Sequence, residues 1–269
     1  MRIAIIGFGN VGYHLCKKCI ELNKDIAFIY NRSPVDIPPF VRERNIPILQ
    51  KLEDIPQEVD ICILSVVDDA ISKVADMLPA QIKSKAIIAH TSGIHGLEVF
   101  KEVIKHPASF YPLNSFSKEG KVNWQETPVF ITAAEEDEHK LMELAKAISE
   151  ETYTVDKQQK AVLHACAVMV NNFPNALFQM AENILNEHEL DLKPLLPLIK
   201  TTAEKVQDLS PKEAQTGPAL REDRETIERH LELLQTFPFE KQVYVLLSHY
   251  INPKLKKNEN DWHFCEKGL

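Results

Sequence analysis

The sequence predicts a doubly wound, mostly parallel α/β domain followed by an all-α domain. Three observations carry that prediction. An apolar run, Ile3-Ala4-Ile5-Ile6, enters the glycine turn Gly7-Phe8-Gly9-Asn10-Val11-Gly12, and an amphipathic helical pattern follows over residues 13–22. Apolar runs of strand length then alternate with helical patterns as far as Val155. From Asp156 onward only helical periodicity remains. A chain of 269 residues with 44% hydrophobic content can bury two cores. The expected division is therefore 1–156 for the α/β domain and 157–269 for the helical one.

Each element follows from its residues. The unbroken apolar character of the first run suits a strand buried on both faces. In the turn after it, Gly7 allows a tight bend, Gly9 lets the backbone close on a pyrophosphate, and Gly12 lets the helix pack against the strand. The helix start offers free N–H groups and the positive end of its dipole to the phosphates. A second strand, 26–30, completes the βαβ unit of a Rossmann dinucleotide site and ends at Asn31-Arg32-Ser33. A carboxylate there would hold the ribose hydroxyl of NAD. Asn31 is neutral, and a guanidinium between two hydrogen-bonding neighbours suits a 2′-phosphate. NADP is the expected cofactor; the competing reading of Arg32 is a cation on a solvated loop.

A proline-rich loop (34–39), a helical turn (40–44) and a short strand (46–49) come next. Residues 59–67 are the strongest strand signal and end in Asp68-Asp69, which can cap a helix over 70–78. The carboxyl end of such a strand faces the cofactor, so Val66 and Val67 are candidates to line it. The strand 86–89 delivers His90-Thr91-Ser92-Gly93. Small residues there leave room for a ligand, and hydroxyls with backbone N–H groups can hold a carboxylate; a plain polar turn would look the same. Further strands are expected at 109–111, 129–132 and 153–155, with a helix over 137–148.

In the second half, Val162, Cys166, Met169, Phe173, Leu177, Met180 and Ile184 recur at three- and four-residue spacing, forming one apolar stripe. Lys160, His164, Asn171 and Asn175 fall on the opposite side. Pro174 calls for a kink or a restart. Helices follow over 194–206, over a short segment opened by the capping box Ser210-Pro211-Lys212-Glu213, and over 224–235 and 241–250. The polar tail from Asn252 is expected to be loosely held. Within this half, His164 can exchange a proton with a carbonyl or imine, and Asn171 can orient a substrate. With Ser92, Gly93 and Arg221 as substrate-binding candidates, these are the expected site residues. A solvated helix face would show the same His–Asn spacing, and Arg221 could equally pair with Asp223.

Composition excludes other classes. A net charge of −8 without a basic stripe gives nucleic-acid binding little support. No apolar run approaches the roughly 18 residues of a membrane span, and the chain opens directly on a strand, so neither a membrane anchor nor a signal peptide is expected. Five cysteines, an odd number, point to the reducing cytoplasm. Cys16 and Cys19 form a CxxC inside a helix without a second pair, which reads as two ordinary thiols before it reads as a redox or zinc site. No HExxH, Walker or GxSxG motif is present.

The glycine turn at 7–12, the Asn31-Arg32-Ser33 strand end, the His90-Thr91-Ser92-Gly93 loop, the helix with His164 and Asn171, and the GPxxRxD run containing Arg221 and Asp223 together resemble a family of two-domain NADP oxidoreductases without a settled substrate. Its relatives are pyrroline-5-carboxylate reductases, 3-hydroxyisobutyrate dehydrogenases and deazaflavin-dependent NADP reductases. The resemblance covers nearly the whole chain. It departs in two places. A His-Pro ahead of the loop aromatic is replaced by Tyr111-Pro112, and the Lys-xxx-Asn pair of the hydroxyacid dehydrogenases becomes Lys160 followed by His164. The resemblance implies hydride transfer between NADP(H) and a small carboxylate-bearing carbonyl, imine or alcohol, in a homodimer paired through the helical domain. The rival reading is a non-catalytic NADP-binding protein that reports redox state.

Overall fold

The computed structural model describes residues 1–56 and 58–255. It divides into two compact units, Met1–Asn172 and Phe173–Leu269.

The first unit contains β1 (Arg2–Ile6), α1 (Asn10–Glu21), β2 (Asp25–Tyr30), α2 (Pro39–Glu43), β3 (Ile48–Leu49), β4 (Ile61–Leu64), α3 (Ile71–Met77), α4 (Ala80–Lys85), β5 (Ile87–His90), β6 (His106–Pro112), β7 (Val129–Thr132), α5 (Glu135–Ile148), β8 (Thr152–Thr154) and α6 (Lys157–Ala167). The strands form one sheet in the order β3-β2-β1-β4-β5-β6-β7-β8. All neighbours are parallel except β6 and β7, which are antiparallel. The strand order reverses between β1 and β4, and the crevice beyond their carboxyl ends is where a doubly wound sheet takes its ligand. Side chains alternate across the sheet as the pleat requires. Ile3 and Ile5 join the core on one face with Leu15 of α1, while Ala4 and Ile6 join the other with Ile71 and Ala75 of α3.

The eight expected strands are all present. Two local expectations are corrected. β4 stops at Leu64, so Val66 and Val67 lie on the loop beyond it. Asp68 and Asp69 do not cap the next helix: they form a 3-10 turn, Asp68–Ala70, and α3 begins at Ile71 without a side-chain cap. Helix α4 was not expected.

After β8, Asp156 accepts the N–H of Gln159, whose side chain answers at the Asp156 N–H, and this capping box starts α6 at once. The helix is held to the sheet through Lys160, which is wholly buried and donates to the Ser109 hydroxyl of β6. Its last turn widens into a π segment, Val168–Asn172. Pro174 is the second residue of α7 (Phe173–Glu187). Proline brings no N–H and crowds the preceding turn, and the widened turn is the restart its position calls for. From Lys157 to Glu187 the helix runs 31 residues, and its most apolar 18-residue stretch has a mean hydropathy of 1.2, long and apolar enough by those measures to cross a bilayer. In this structure Lys160 and His164 bond it to β6.

The second unit continues with α8 (Leu196–Asp208), α9 (Pro211–Ala214), α10 (Arg224–Leu233) and α11 (Pro238–Ile251). Ser210 and Glu213 form the expected capping box, and Asp223 caps α10 by accepting the Thr226 N–H. Many of its apolar side chains are exposed, including Leu198, Phe239, Leu246 and Tyr250. Of the polar tail, Asn252 donates its side-chain amide to the Ala219 carbonyl and Pro253–Leu255 form one 3-10 turn; residues 256–269 lie outside the described residues.

Candidate functional site

The glycine turn does what its three positions require. Gly7 has φ +93°, and a Cβ there would stand 2.4 Å from the Ser65 carbonyl oxygen. A Cβ on Gly12 would stand 2.1 Å from the Gly7 carbonyl oxygen, so only glycine lets α1 start so close to the turn. At Gly9 a Cβ would meet nothing within 4 Å. No neighbour among the described residues demands glycine there; the open space lies at the start of α1, where N–H groups are free for an anion. The Phe8 N–H donates to the Asn31 side-chain oxygen at 2.9 Å, and the Asn31 amide donates to the Ser33 carbonyl at 2.8 Å. Asn31 thus ties the turn to the end of β2, leaving Arg32 and Ser33 exposed beside it. Val66 borders Gly7, and Val67 is 76% exposed.

The β5 loop is held from within. The Ser92 hydroxyl accepts the N–H groups of Ile94 (3.3 Å) and His95 (3.2 Å), and the Ser92 N–H donates to His90 Nδ1 at 3.2 Å. Ser92 is buried, and its lone pairs serve the loop. His90 is fully buried; burial first, then the charge of Lys160, pushes its pKa down to about 3, so the ring stays neutral. Gly93 packs directly on α6: a Cβ there would stand 2.4 Å from His164 Nδ1 and 2.8 Å from the Tyr111 ring. The loop and the His164 ring are in direct contact.

Tyr111, on β6, lies with its hydroxyl 2.9 Å from His164 Nδ1, the two rings edge to face. Burial, and then the charge of Asp68, pushes the phenol up to about 12, so it carries its proton at neutral pH. One turn earlier on α6, the Lys160 ammonium donates to the Ser109 hydroxyl at 2.7 Å and to the His95 carbonyl at 2.5 Å. Burial pulls Lys160 down to about 8, opposed by Glu98 and Asp68. The Tyr111–His164 pair forms part of the wall of a cavity of about 450 Å³, together with Asn114, Ser115 and Asn171. A space of this size can accommodate a small molecule, and its wall carries a histidine, a phenol and neutral amides.

Two family models match the chain. Residues 2–93 match an NADP oxidoreductase, coenzyme F420-dependent, and residues 127–251 match a domain of unknown function designated DUF2520. The structure of a presumed NADP oxidoreductase from Bacteroides fragilis is 31% identical, covers 94% of this chain and 98% of its own, and superposes with a TM-score of 0.84. The chain belongs to this NADP oxidoreductase family.

Two more distant structures share the fold. An imine reductase from Myxococcus stipitatus in complex with NADP+ is 13% identical, covering 95% of this chain and 94% of its own at a TM-score of 0.66. The Plasmodium falciparum pyrroline carboxylate reductase with NADP bound is 12% identical, covering 95% and 98% at 0.61. No curated protein matches the chain in sequence. The cofactor of this oxidoreductase is NADP, and the open approach to Gly9 with the exposed Arg32 fits it.

His164, Asn171 and Gly93 are thus brought together in one unit of the oxidoreductase. Arg221 belongs to the second unit, exposed on the turn before α10. The CxxC thiols Cys16 and Cys19 are free and buried, both pushed up to about 12 chiefly by burial, which leaves them unreactive. Tyr111, Ser109 and Lys160 were not among the expected site residues. The available signal was a spacing: polar residues two apart on a strand (109, 111) and four apart on a helix (160, 164). In the sequence Tyr111 stands out only as a departure from the family pattern.

Proposed function

We propose that this NADP oxidoreductase transfers hydride between NADP(H) and the carbon of a small C=O, C=N or C–OH group, with His164 moving the proton. The observation that carries this reading is the Tyr111–His164 hydrogen bond in the wall of a small-molecule cavity beside Asn171. NADPH supplies the hydride; this chain supplies binding and the proton. The glycine turn and Arg32 hold the dinucleotide, and Asn171 orients the reacting group with its amide. A proton leaving the His164 ring neutralises the oxygen or nitrogen that receives the electron pair of the reduced double bond. The Tyr111 hydroxyl fixes the ring at Nδ1 and fixes which nitrogen is presented to the cavity.

A carboxylate on the substrate would meet the donors Asn114, Ser115 and Asn171 in this wall. Homodimerisation through the helical unit is part of the same proposal, motivated by its exposed Leu198, Phe239 and Tyr250. A screen of small oxo-acids, uncharged ketones and imines, read as loss of NADPH absorbance, tests the assignment. Oxidation of NADPH by any of them supports it, provided that His164→Ala abolishes the signal. Tight NADPH binding with no turnover across the screen favours the non-catalytic reading.

A further inference from the structure

Lys160 is the one lysine in the described structure that is wholly buried, and no carboxylate pairs with it among the described residues. Its two hydrogen bonds go to a hydroxyl, Ser109 Oγ, and to a backbone carbonyl, that of His95. A buried ammonium is costly to desolvate, and an apolar side chain of the same length would avoid that cost. Packing alone therefore does not account for a cation at this point.

Its neighbours do. Ser109 and Tyr111 sit on one face of β6, about 6.7 Å apart along the strand. Lys160 and His164 sit one turn apart on α6, about 6 Å along its axis. The matched spacings let two side chains of the helix bond two side chains of the strand. The third body is the β5 loop, turned by the Ser92 hydroxyl so that the His95 carbonyl reaches Lys160, with Gly93 of the same loop against the His164 ring. The wall of the 450 Å³ cavity includes Tyr111 and His164 and does not include Lys160.

We propose that Lys160 is a positioning residue: it fastens the β5 loop and β6 to α6, so that Gly93 and Tyr111 close on the His164 ring and hold it in one orientation. This rests on the reading of His164 as the proton-transferring group. Its own test does not need turnover. In protein labelled with ¹⁵N-histidine, with NADPH added, long-range ¹H–¹⁵N spectra report the His164 tautomer, and hydrogen exchange reports the loop amides of Gly93 and Gly96.

Wild type is expected to show a single His164 tautomer. Lys160→Met should give the average of two and raise loop exchange by roughly tenfold or more, with NADPH affinity within about threefold of wild type because the glycine turn is untouched. Ser109→Ala, which removes one of the two anchors, should move both readouts in the same direction by less, and it decides the matter if Lys160→Met does not fold. A His164 ring that keeps its single tautomer, with loop exchange unchanged, would overturn the proposal even if the melting temperature moves, because Lys160 would then only pack. Failure of the site reading appears elsewhere: with 1-pyrroline or pyruvate as probe, His164→Ala would oxidise NADPH as fast as wild type.

Discussion

Tyr111 Oη and His164 Nδ1 are hydrogen-bonded at 2.9 Å, one group delivered by β6 and the other by α6. If His164 moves the proton, His164→Ala should lower turnover by about 10²–10⁴-fold at nearly unchanged NADPH affinity. Tyr111→Phe should cost less, since the ring remains but loses its fixed partner. Steady-state rates with the first substrate found check this. Normal rates in both variants would reduce the helix face to a solvated surface.

Gly93→Ala should disrupt the same pair. The added methyl would lie 2.4 Å from His164 Nδ1, so the ring or the loop must give way. Overpacking of this kind costs about 1–3 kcal/mol. Urea denaturation should show the loss, and Gly9→Ala is the comparison, since its Cβ would meet no neighbour within 4 Å among the described residues.

Arg32→Ala should weaken NADP(H) and leave NAD(H) alone. A charge-assisted hydrogen bond contributes roughly 1.5–3 kcal/mol, which corresponds to about one to two decades in dissociation constant. Fluorescence titration with both cofactors separates the cases. Equal losses for the two would remove the 2′-phosphate role.

The buried Lys160 gives stability a pH dependence of definite sign. Its pKa falls from 10.5 in the unfolded chain to about 8 in the fold, with burial the leading cause. Between those values the unfolded state binds more protons, so stability attributable to this residue rises as pH goes from 8 to 10.5. Below pH 8 the buried charge carries its full cost. Relative to Lys160→Met, wild type should gain on the order of 3 kcal/mol across that window. Parallel denaturation curves for the two proteins would refute the shift.

Light scattering on the full chain should give twice its 30.7 kDa mass at micromolar concentration. Leu198, Phe239 and Tyr250 are 65%, 61% and 86% exposed, an apolar surface that a second copy would cover. Phe239→Glu should shift the population toward monomer. A monomeric wild type would remove the dimer from the proposal.

Much of this was legible in the residues, because it depends on neighbours in the chain. Gly7, Gly9 and Gly12 state their roles by spacing, since a tight turn and a close helix approach are conditions on a few consecutive backbone units. Most of the strands showed as apolar runs, and Ser210-Pro211-Lys212-Glu213 encoded its own capping box. The ends of elements were less legible. β4 stops at Leu64 although Ser65-Val66-Val67 continues an apolar run, because its register with β1 ends with Ile6.

His164 and Asn171 could be singled out from helical period alone, but not what they touch. Tyr111 meets His164 across 53 positions, and Ser109 meets Lys160 across 51. Sequence determined that these side chains lie two apart on a strand and four apart on a helix. Only the packing of α6 onto β6 decided that the two spacings coincide. The same packing turned Lys160 from one more polar residue on a helix face into a buried ammonium. The reason is physical: periodicity fixes which face a residue occupies, while the partner of that face depends on sheet order and register, which long-range contacts choose.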